Sequence, residues 1–212
     1  MTMTSSRPRS TYRHGDLARA LLDAGIELAR GGGPDAVVLR EATRRAGVFP
    51  NAAYRHFASR QALLQAVRSA ALAALAVAME TELARLPRSK RPADFARASL
   101  RAVGRSYLRF AQTETGLFRT AFGGTDELPS QADPGKAGHS GLNPFQLLGV
   151  ALDRLVTAGV LSLARRPGAE YLAWSAVHGL AMLVIEGPLR SLAPGQKRAI
   201  ERRLLDMVEK GL

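Results

Sequence analysis

The 212-residue sequence contains no cysteine, and this absence excludes disulfides, thiolate chemistry and cysteine-based zinc sites. A chain of this length can bury roughly 70% of the surface that its unfolded form exposes, so its stability requires neither a disulfide nor a structural metal. The lack of cysteine is consistent with a reducing compartment, and we expect the protein to work in the cytoplasm.

Long apolar runs are also missing. No such run reaches the roughly 18 residues that a membrane span needs. The longest, residues 171–185, is interrupted by Ser175, His178 and Gly179. Residues 1–10 contain arginine but no following apolar stretch, so we expect no secretory signal. We therefore expect no membrane partner.

The sequence has no recognisable enzyme site. Carboxylates such as Asp153 and Glu186 have no evident nucleophile or base beside them. The histidines lack metal-ligand spacing; they are His14, His56, His139 and His178. We predict no catalytic residue, no metal and no cofactor, and an all-α enzyme remains only as an alternative.

The charge is strongly unbalanced, with 30 lysines and arginines against 18 acids and a formal net charge of +12. A basic surface attracts polyanions, of which DNA is the commonest in a bacterial cell. The surplus is divided about equally between residues 1–70 and the remainder, so charge alone does not locate a DNA site. A codon bias toward arginine would produce the same composition.

Hydrophobic periodicity predicts an all-α fold of about nine helices. Residues 1–13 are arginine-rich and nearly free of apolar residues, which predicts a disordered basic arm. Residues 87–92 predict a basic turn. Residues 123–141 have no apolar rhythm and predict a long loop, which is either a gate to a ligand site or mere disorder. The predicted helices are 16–30, 39–46, 50–57, 60–86, 93–113, 115–122, 143–158, 168–186 and 195–210.

Residues 37–67 contain a helix–turn–helix pattern. A short amphipathic helix stops at Gly47, whose backbone freedom permits a tight turn. Val48 is the apolar residue expected to hold the two helices together. The second helix begins near Pro50, because proline suits the first turn of a helix. In this arrangement the second helix is sized to enter the DNA major groove.

The run AGV-x-P-x-AAYRHF-x-SR-x-ALL at 46–64 resembles the signature of the tetracycline-repressor (TetR) family. Residues 14–30 are similar to that family's first helix. LFRTAFG at 117–123 and AWSAVHGLAMLV at 173–184 resemble the C-terminal region of a TetR subgroup named for a Trp-His-Gly motif, here Trp174, His178 and Gly179. The resemblance implies a DNA-binding domain over 14–70 and a ligand-binding and dimerisation domain over 71–212.

The resemblance also implies roles for individual residues. Asn51 is the best candidate for base reading, because its amide can pair with adenine N6 and N7. Arg60 stands where the family usually has a phosphate-contacting lysine. Arg55 is expected on base or phosphate. The groove-facing start of the recognition helix is Phe49, Pro50, Asn51 and Ala52, and the other expected phosphate contacts are Tyr54, His56, Arg40 and Arg44.

Three positions depart from the family's usual pattern. Val38 and Phe49 occupy helix-capping positions where serine or threonine is usual, and Thr43 replaces a small alanine at the helix crossing. Phe49 either packs on a thymine methyl group or covers the first helix of the motif. The operator sequence therefore cannot be inferred by analogy.

The last two helices are expected to pair two protomers, because YLAWSAVHGLAMLVI is too apolar to face water. Burial inside its own domain is the other possibility. A two-fold dimer would match a palindromic operator on double-stranded DNA. A small-molecule effector of unknown identity is expected in the body. Its candidate pocket residues are Tyr107, Phe110, Phe118, Phe122, Phe145, Leu148, Trp174, His178 and Met182.

Four arginines recur every four residues and line one helix face with like charge. They are expected either to pair with acids elsewhere or to meet an anionic ligand or the DNA-binding half; they are Arg97, Arg101, Arg105 and Arg109. The sequence as a whole predicts a repressor that a ligand releases from DNA. A non-specific basic DNA-binding protein is the alternative.

Overall fold

The computed structural model describes residues 14–87, 89, 91–124 and 133–212, and these form nine α-helices and no strand. The predicted all-α class is therefore confirmed for the part of the chain that is described. The helices are α1 (His14–Gly32), α2 (Leu39–Ala46), α3 (Pro50–Ala53), α4 (Arg60–Ala84), α5 (Pro92–Thr113), α6 (Thr115–Phe122), α7 (Pro144–Thr157), α8 (Ala169–Ile185) and α9 (Pro194–Gly211).

The N-terminal head consists of α1, α2, α3 and the start of α4. Leu21, Val37, Ala42 and Leu63 are fully buried where these helices meet. α1 begins at His14, two residues before the predicted start at Asp16. It continues through two of the three glycines, and the turn then follows at Gly33, whose positive φ of 73° suits glycine.

α4 links the head to the body. Ser59 caps it, its side chain accepting a hydrogen bond from the Ala62 amide at 3.1 Å. The helix passes without interruption through the predicted domain boundary between residues 70 and 71. By length and composition alone α4 could cross a membrane, which the sequence analysis did not foresee, but Leu75, Ala76 and other residues on it are buried in the protein core.

The body is built around α5, which packs against α4, α6, α7, α8 and α9. Most of its residues from Ala96 to Ala111 are buried, apart from the arginine face. α6 lies between body and head because it contacts α4 and α5 on one side and α1 on the other. The short helix α6, like α4, therefore connects the head to the body.

The predicted loop is more ordered than its composition indicates. Residues 134–136 form a 3₁₀ helix, and the Glu80 carboxylate accepts backbone hydrogen bonds from His139 and Ser140, both at 2.9 Å. Residues 133–141 therefore form a loop, as predicted, and Glu80 holds this loop against α4. Residues 125–132, the arm 1–13 and part of the basic turn lie outside the described residues.

Candidate nucleic-acid interface and ligand cavity

The turn between α2 and α3 has the predicted geometry. Gly47 adopts the left-handed conformation (φ 68°, ψ 31°) and closes α2, its amide donating to the carbonyls of Arg44 and Thr43. Neither Val38 nor Phe49 caps its helix through the side chain. Thr43 is buried, and its hydroxyl donates a hydrogen bond to the Arg40 carbonyl at 2.7 Å. The two departures from family capping therefore leave uncapped helix starts.

α3 presents one side to solvent and the other to the head core. Phe49 is 85% exposed and Tyr54 is 57% exposed, and Asn51 and Arg55 are also exposed. An 85% exposed phenylalanine does not cover the first helix of the motif, so that alternative for Phe49 is wrong.

The opposite side of α3 is anchored. Ala53 is fully buried, and Val48, Ala52 and Phe57 are partly buried against the core. α3 is shorter than predicted: it ends at Ala53, whose carbonyl accepts the amides of both His56 and Phe57. His56 is half-buried. Tyr54, at the end of this one-turn helix, faces water and does not pack between helices.

The arginines of α2 differ in whether they form ion pairs within the protein. Arg44 makes a two-point contact with Glu41, at 2.9 Å from Nε and 2.7 Å from an NH₂ group. The hydrogen bond from Arg44, reinforced by Arg45, lowers the pKa of Glu41 to about 2. Arg40 is exposed. Arg44 must therefore share or exchange this carboxylate to contact a phosphate.

Arg60 is bound within the head. Its Nε donates to the Val37 carbonyl and one NH₂ group to the Pro34 carbonyl, each at 2.8 Å. The side chain ties the start of α4 to the segment that precedes α2. A phosphate contact by Arg60 would use its remaining N–H groups, and that role stays a prediction.

A cavity of about 110 Å³ lies in the body between α4, α5, α6, α7, α8 and α9. Its walls are mainly apolar and include the rings of Tyr107, Phe122, Phe145 and Trp174. Pockets of this kind are typical of small-molecule sites, in which an apolar wall carries a few polar groups. Among the described residues, no cluster of three or more histidines and acids could hold a metal.

Comparison with known proteins decides the identity of the fold. A family model described as "Tetracyclin repressor-like, C-terminal domain" matches residues 100–208, and one described as "Bacterial regulatory proteins, tetR family" matches residues 21–67. The chain belongs to the TetR family. It is accordingly a DNA-binding transcriptional regulator, and the helix–turn–helix of α2 and α3 is its reading head.

Solved structures share this TetR fold over nearly the whole chain. A protein of unknown function from Rhodococcus sp. RHA1 is 25% identical, with a TM-score of 0.74 over 96% of this chain and 99% of that one. FadR from Bacillus subtilis, solved with stearoyl-CoA, is 13% identical (TM-score 0.66; coverage 92% and 98%). RolR, solved with resorcinol, is 18% identical (TM-score 0.59; coverage 92% and 88%). The comparison with curated proteins gives no match.

Two of the Trp-His-Gly residues of this TetR protein, Trp174 and His178, are joined through Tyr107 in one hydrogen-bonded chain. The Trp174 Nε1–H donates to the Tyr107 hydroxyl oxygen at 3.1 Å, and that oxygen lies 2.7 Å from Nδ1 of His178. Burial lowers the pKa of His178 and raises that of Tyr107. The family model that matches this region does not specify the Trp-His-Gly subgroup, which stays a prediction.

The nine residues predicted for the ligand pocket fall into two groups. Five line the cavity: Tyr107, Phe122, Phe145, Leu148 and Trp174. Four do not: Phe110, Phe118, His178 and Met182. Phe118 is fully buried and stacks on His178 with ring centroids 5.7 Å apart, and Phe110 is also buried. Phe118 and His178 both pack on the ring of Phe122, with centroids 4.9 and 5.2 Å away, and so support the cavity wall from behind.

α4 also contributes to the cavity wall, which was not predicted from the sequence. Gln65, Arg68, Leu72 and Met79 line it from one face of that helix. Arg68 could have been noticed, because it is the only charged residue between Arg60 and Glu80. A lone charge in an apolar helix indicates either a buried partner or a function.

The arginine face of α5 pairs with acids from other helices, as the first of its two alternatives predicted. Arg97 lies 3.2 Å from Glu209 and Arg101 lies 2.7 Å from Asp206. Arg109 lies 3.0 Å from Glu82, and Arg105 lies 3.8 Å from the same carboxylate. The face therefore connects α5 to α4 and α9.

Proposed function

We propose that this TetR protein is a cytoplasmic homodimeric repressor whose two α3 helices bind successive major grooves of a palindromic operator. A small amphipathic molecule in the body cavity would release it from DNA. The observation that carries the proposal is the exposed side of α3, where Phe49, Asn51 and Tyr54 face solvent on a helix anchored from behind. In this proposal residues 14–70 act as the reading head and residues 71–212 as the sensing and pairing body.

Within the proposal, Asn51 reads a base and Phe49 contacts a thymine methyl group. Tyr54 and Arg55 contact phosphates at the flank, together with Arg40, Arg44 and the free N–H groups of Arg60. The exposure of these residues supports the assignment. Phosphate contacts fix the position of the head, while the base contacts supply the sequence preference.

The exposed apolar residues of α8 support the dimer. Tyr171 is 43% exposed, Leu172 66% and Leu183 44%, and Met207 on the neighbouring α9 is 59% exposed. Leu172, Gly179 and Leu183 follow helical spacing along one face, and nothing lies within 4 Å of a Cβ placed on Gly179. A second copy of α8 could approach closely there. Dimerisation would set the two heads about one helical turn apart, roughly 34 Å.

Coupling between cavity and head would run through α6. Phe122 and Ala121 at its end line the cavity, while Gly116 at its start packs so closely on the Ala29 carbonyl that a Cβ would clash. An Arg30–Glu114 ion pair at 2.8 Å adds to the contact with α1. A ligand that displaces α6 would therefore move α1 with it. It can shift the balance only by its differential affinity for the two states.

FadR was solved in complex with stearoyl-CoA and RolR in complex with resorcinol, so two proteins of this fold bind an amphipathic and an aromatic molecule. The cavity described above supports the same kind of use here. A ligand of this class would contact Leu72 on α4 and Trp174 on α8, which both line the cavity.

A competition gel shift tests the proposal. Labelled DNA from the region beside the protein's own gene is mixed with the full chain and increasing amounts of bulk duplex DNA, with a scrambled fragment of the same composition as control. We expect the shifted band to survive a large excess of competitor and the scrambled fragment to lose its band. Equal loss of both bands would favour the alternative, a non-specific basic DNA-binding protein.

A further inference from the structure

Arg68 places a positive charge in an otherwise uncharged stretch of α4. Between Arg60 and Glu80 the helix carries no other charged residue. The side chain lies on the same helix face as Gln65 and Leu72, and all three line the cavity. Arg68 is nevertheless only 8% exposed. It is a buried cation at the wall of an apolar site.

The hydrogen bonding of Arg68 is incomplete. One NH₂ group donates to the Gly123 carbonyl at the end of α6. Its Nε–H is buried without an acceptor, and no carboxylate among the described residues pairs with the guanidinium. The guanidinium keeps its charge in proteins, and a buried charge without a counter-ion is costly. The neighbouring carbonyl alone does not compensate this charge.

The other two cations at the cavity have acidic partners. Arg101 is bound by Glu209 and Asp206, and Lys136 lies 3.5 Å from Asp133. The hydrogen bond that Arg101 donates to the Glu209 carboxylate raises the pKa of Arg101. Arg68 therefore differs from Arg101 in the respect that matters for an anionic ligand: none of the described carboxylates forms an ion pair with it.

The remaining wall sets the character of the molecule that would meet Arg68. Phe122, Phe145 and Trp174 supply aromatic surface, and Leu100, Leu148 and Leu205 supply aliphatic surface. The polar groups of Trp174 and Tyr107 are already paired with each other. A ligand that fits would bury an apolar body among these rings and place an anionic group at α4.

We propose that the effector is a hydrophobic monocarboxylate whose carboxylate accepts the Arg68 Nε–H hydrogen bond. The planar guanidinium can offer a carboxylate two parallel N–H groups, which makes arginine well suited to this pairing. This proposal rests on the proposed function, because a bound carboxylate acts as an effector only if the protein is a ligand-controlled repressor. It also links ligand binding to α6, because the same guanidinium holds the Gly123 carbonyl.

Trp174 provides a direct readout, since it is the only tryptophan of the chain and lines the cavity. The full-length protein is titrated at pH 8 with decanoate and with 1-decanol while its fluorescence is followed. The pair 4-phenylbutyrate and 4-phenyl-1-butanol repeats the comparison with an aromatic body. Each pair differs only in the anionic group, so the affinity ratio within a pair isolates the contribution of charge.

We expect wild-type protein to bind each carboxylate about tenfold or more tightly than its alcohol, the range for a charge-assisted hydrogen bond. R68Q should bring the ratio to about one while leaving alcohol affinity within about threefold. R68K should retain part of the preference. R105Q is the matched control, because Arg105 lies on the same α5 face as Arg101 but does not line the cavity, so the loss of its positive charge should keep the wild-type ratio.

Equal affinity for acid and alcohol in the wild type, or no saturable response to either carboxylate, would overturn the inference. So would an R68Q variant that keeps the preference. If Arg68 served only to tie α4 to α6, R68Q would lower the melting temperature without changing the ratio, and this too contradicts the proposal. Melting curves show whether R68Q is folded, and if it folds poorly the acid-to-alcohol ratio of R68K tests the proposal instead.

The fluorescence titration needs no DNA, so its failure is distinguishable from failure of the proposed function. If the protein binds carboxylates through Arg68 but shows no sequence-specific DNA binding, the carboxylate site is supported and the repressor function is contradicted. If the protein binds its operator but shows no preference for carboxylates, the repressor function is supported and the carboxylate site is contradicted.

Discussion

The hydroxyl oxygen of Tyr107 on α5 lies 2.7 Å from Nδ1 of His178 on α8. The Trp174 N–H also donates to that oxygen, which leaves the hydroxyl proton available to Nδ1 of His178. A neutral imidazole that carries its proton on Nε2 accepts this bond. Burial lowers the pKa of His178, in agreement with this neutral form.

The first prediction concerns pH. The native pKa of His178 lies below its value of about 6.5 in the unfolded chain, so the unfolded state binds a proton first as pH falls. The stabilisation is complete above about pH 6.5 and is lost as pH falls through the lower native value. Urea unfolding from pH 8 to pH 5 should show the free energy of unfolding decreasing on the acid side.

The H178Q variant should show a smaller decrease over the same range, although it is less stable than wild type at pH 8. An identical pH dependence in wild type and variant would mean that His178 is not the responsible group.

The second prediction compares the same chemical change at two tyrosines. Tyr107→Phe leaves the Trp174 N–H and the His178 Nδ1 without their shared partner in a buried site, and should lower the free energy of unfolding by about 1–3 kcal/mol. Tyr54→Phe removes an exposed hydroxyl and should change it by less than about 0.5 kcal/mol. Urea unfolding monitored by circular dichroism measures both.

DNA affinity should show the opposite order. The Tyr54→Phe variant should bind all DNA sequences more weakly because a phosphate contact is lost, whereas Tyr107→Phe should bind as wild type at a temperature where it is folded. Unchanged DNA affinity in Tyr54→Phe would remove that residue from the interface.

The third prediction tests the pairing surface on α8. The double variant Leu172→Arg/Leu183→Arg places two charges in the proposed dimer contact and should elute as a monomer in light-scattering chromatography. Leu163→Arg is the matched control, because Leu163 is 77% exposed but lies outside α8 and α9. A double variant that remains dimeric would locate the contact elsewhere.

The helices could be predicted well from the sequence because each end is marked locally. Gly47 and Pro50 delimit the turn of the reading head, and Ser59 marks the start of α4. α3 is shorter than predicted because the Ala53 carbonyl ends it in a turn that brings Phe57 onto the core. That turn depends on tertiary burial, which a local pattern does not contain.

The cavity was harder to predict for the same reason. Phe118 and Phe122 lie four residues apart on α6, yet Phe118 is fully buried and only Phe122 lines the cavity. Which of two neighbouring rings reaches an opening depends on the packing of other helices. The Glu80 contacts to residues 139 and 140 likewise join positions about sixty apart in the chain, so local composition gave no sign of them.

The fourth prediction separates two uses of Arg60. Arg60→Gln should weaken binding to all DNA sequences and reduce the salt dependence by about one phosphate contact. It should also destabilise the head, because the guanidinium holds the carbonyls of Pro34 and Val37. Anisotropy titrations at several salt concentrations, combined with thermal melting, measure both. An unchanged salt slope with a lower melting temperature would assign Arg60 a structural role alone.

The central claim is that the exposed side of α3 reads bases. Selection of binding sites from a random duplex pool tests it most directly, with wild-type protein and Asn51→Ala run in parallel. The wild type should enrich a palindrome with half-sites about ten base pairs apart, and Asn51→Ala should lose preference at one symmetric pair of positions, a cost of about 1–3 kcal/mol per base pair. Enrichment of the same palindrome at every position by Asn51→Ala, or no enriched sequence with wild type, would contradict the account.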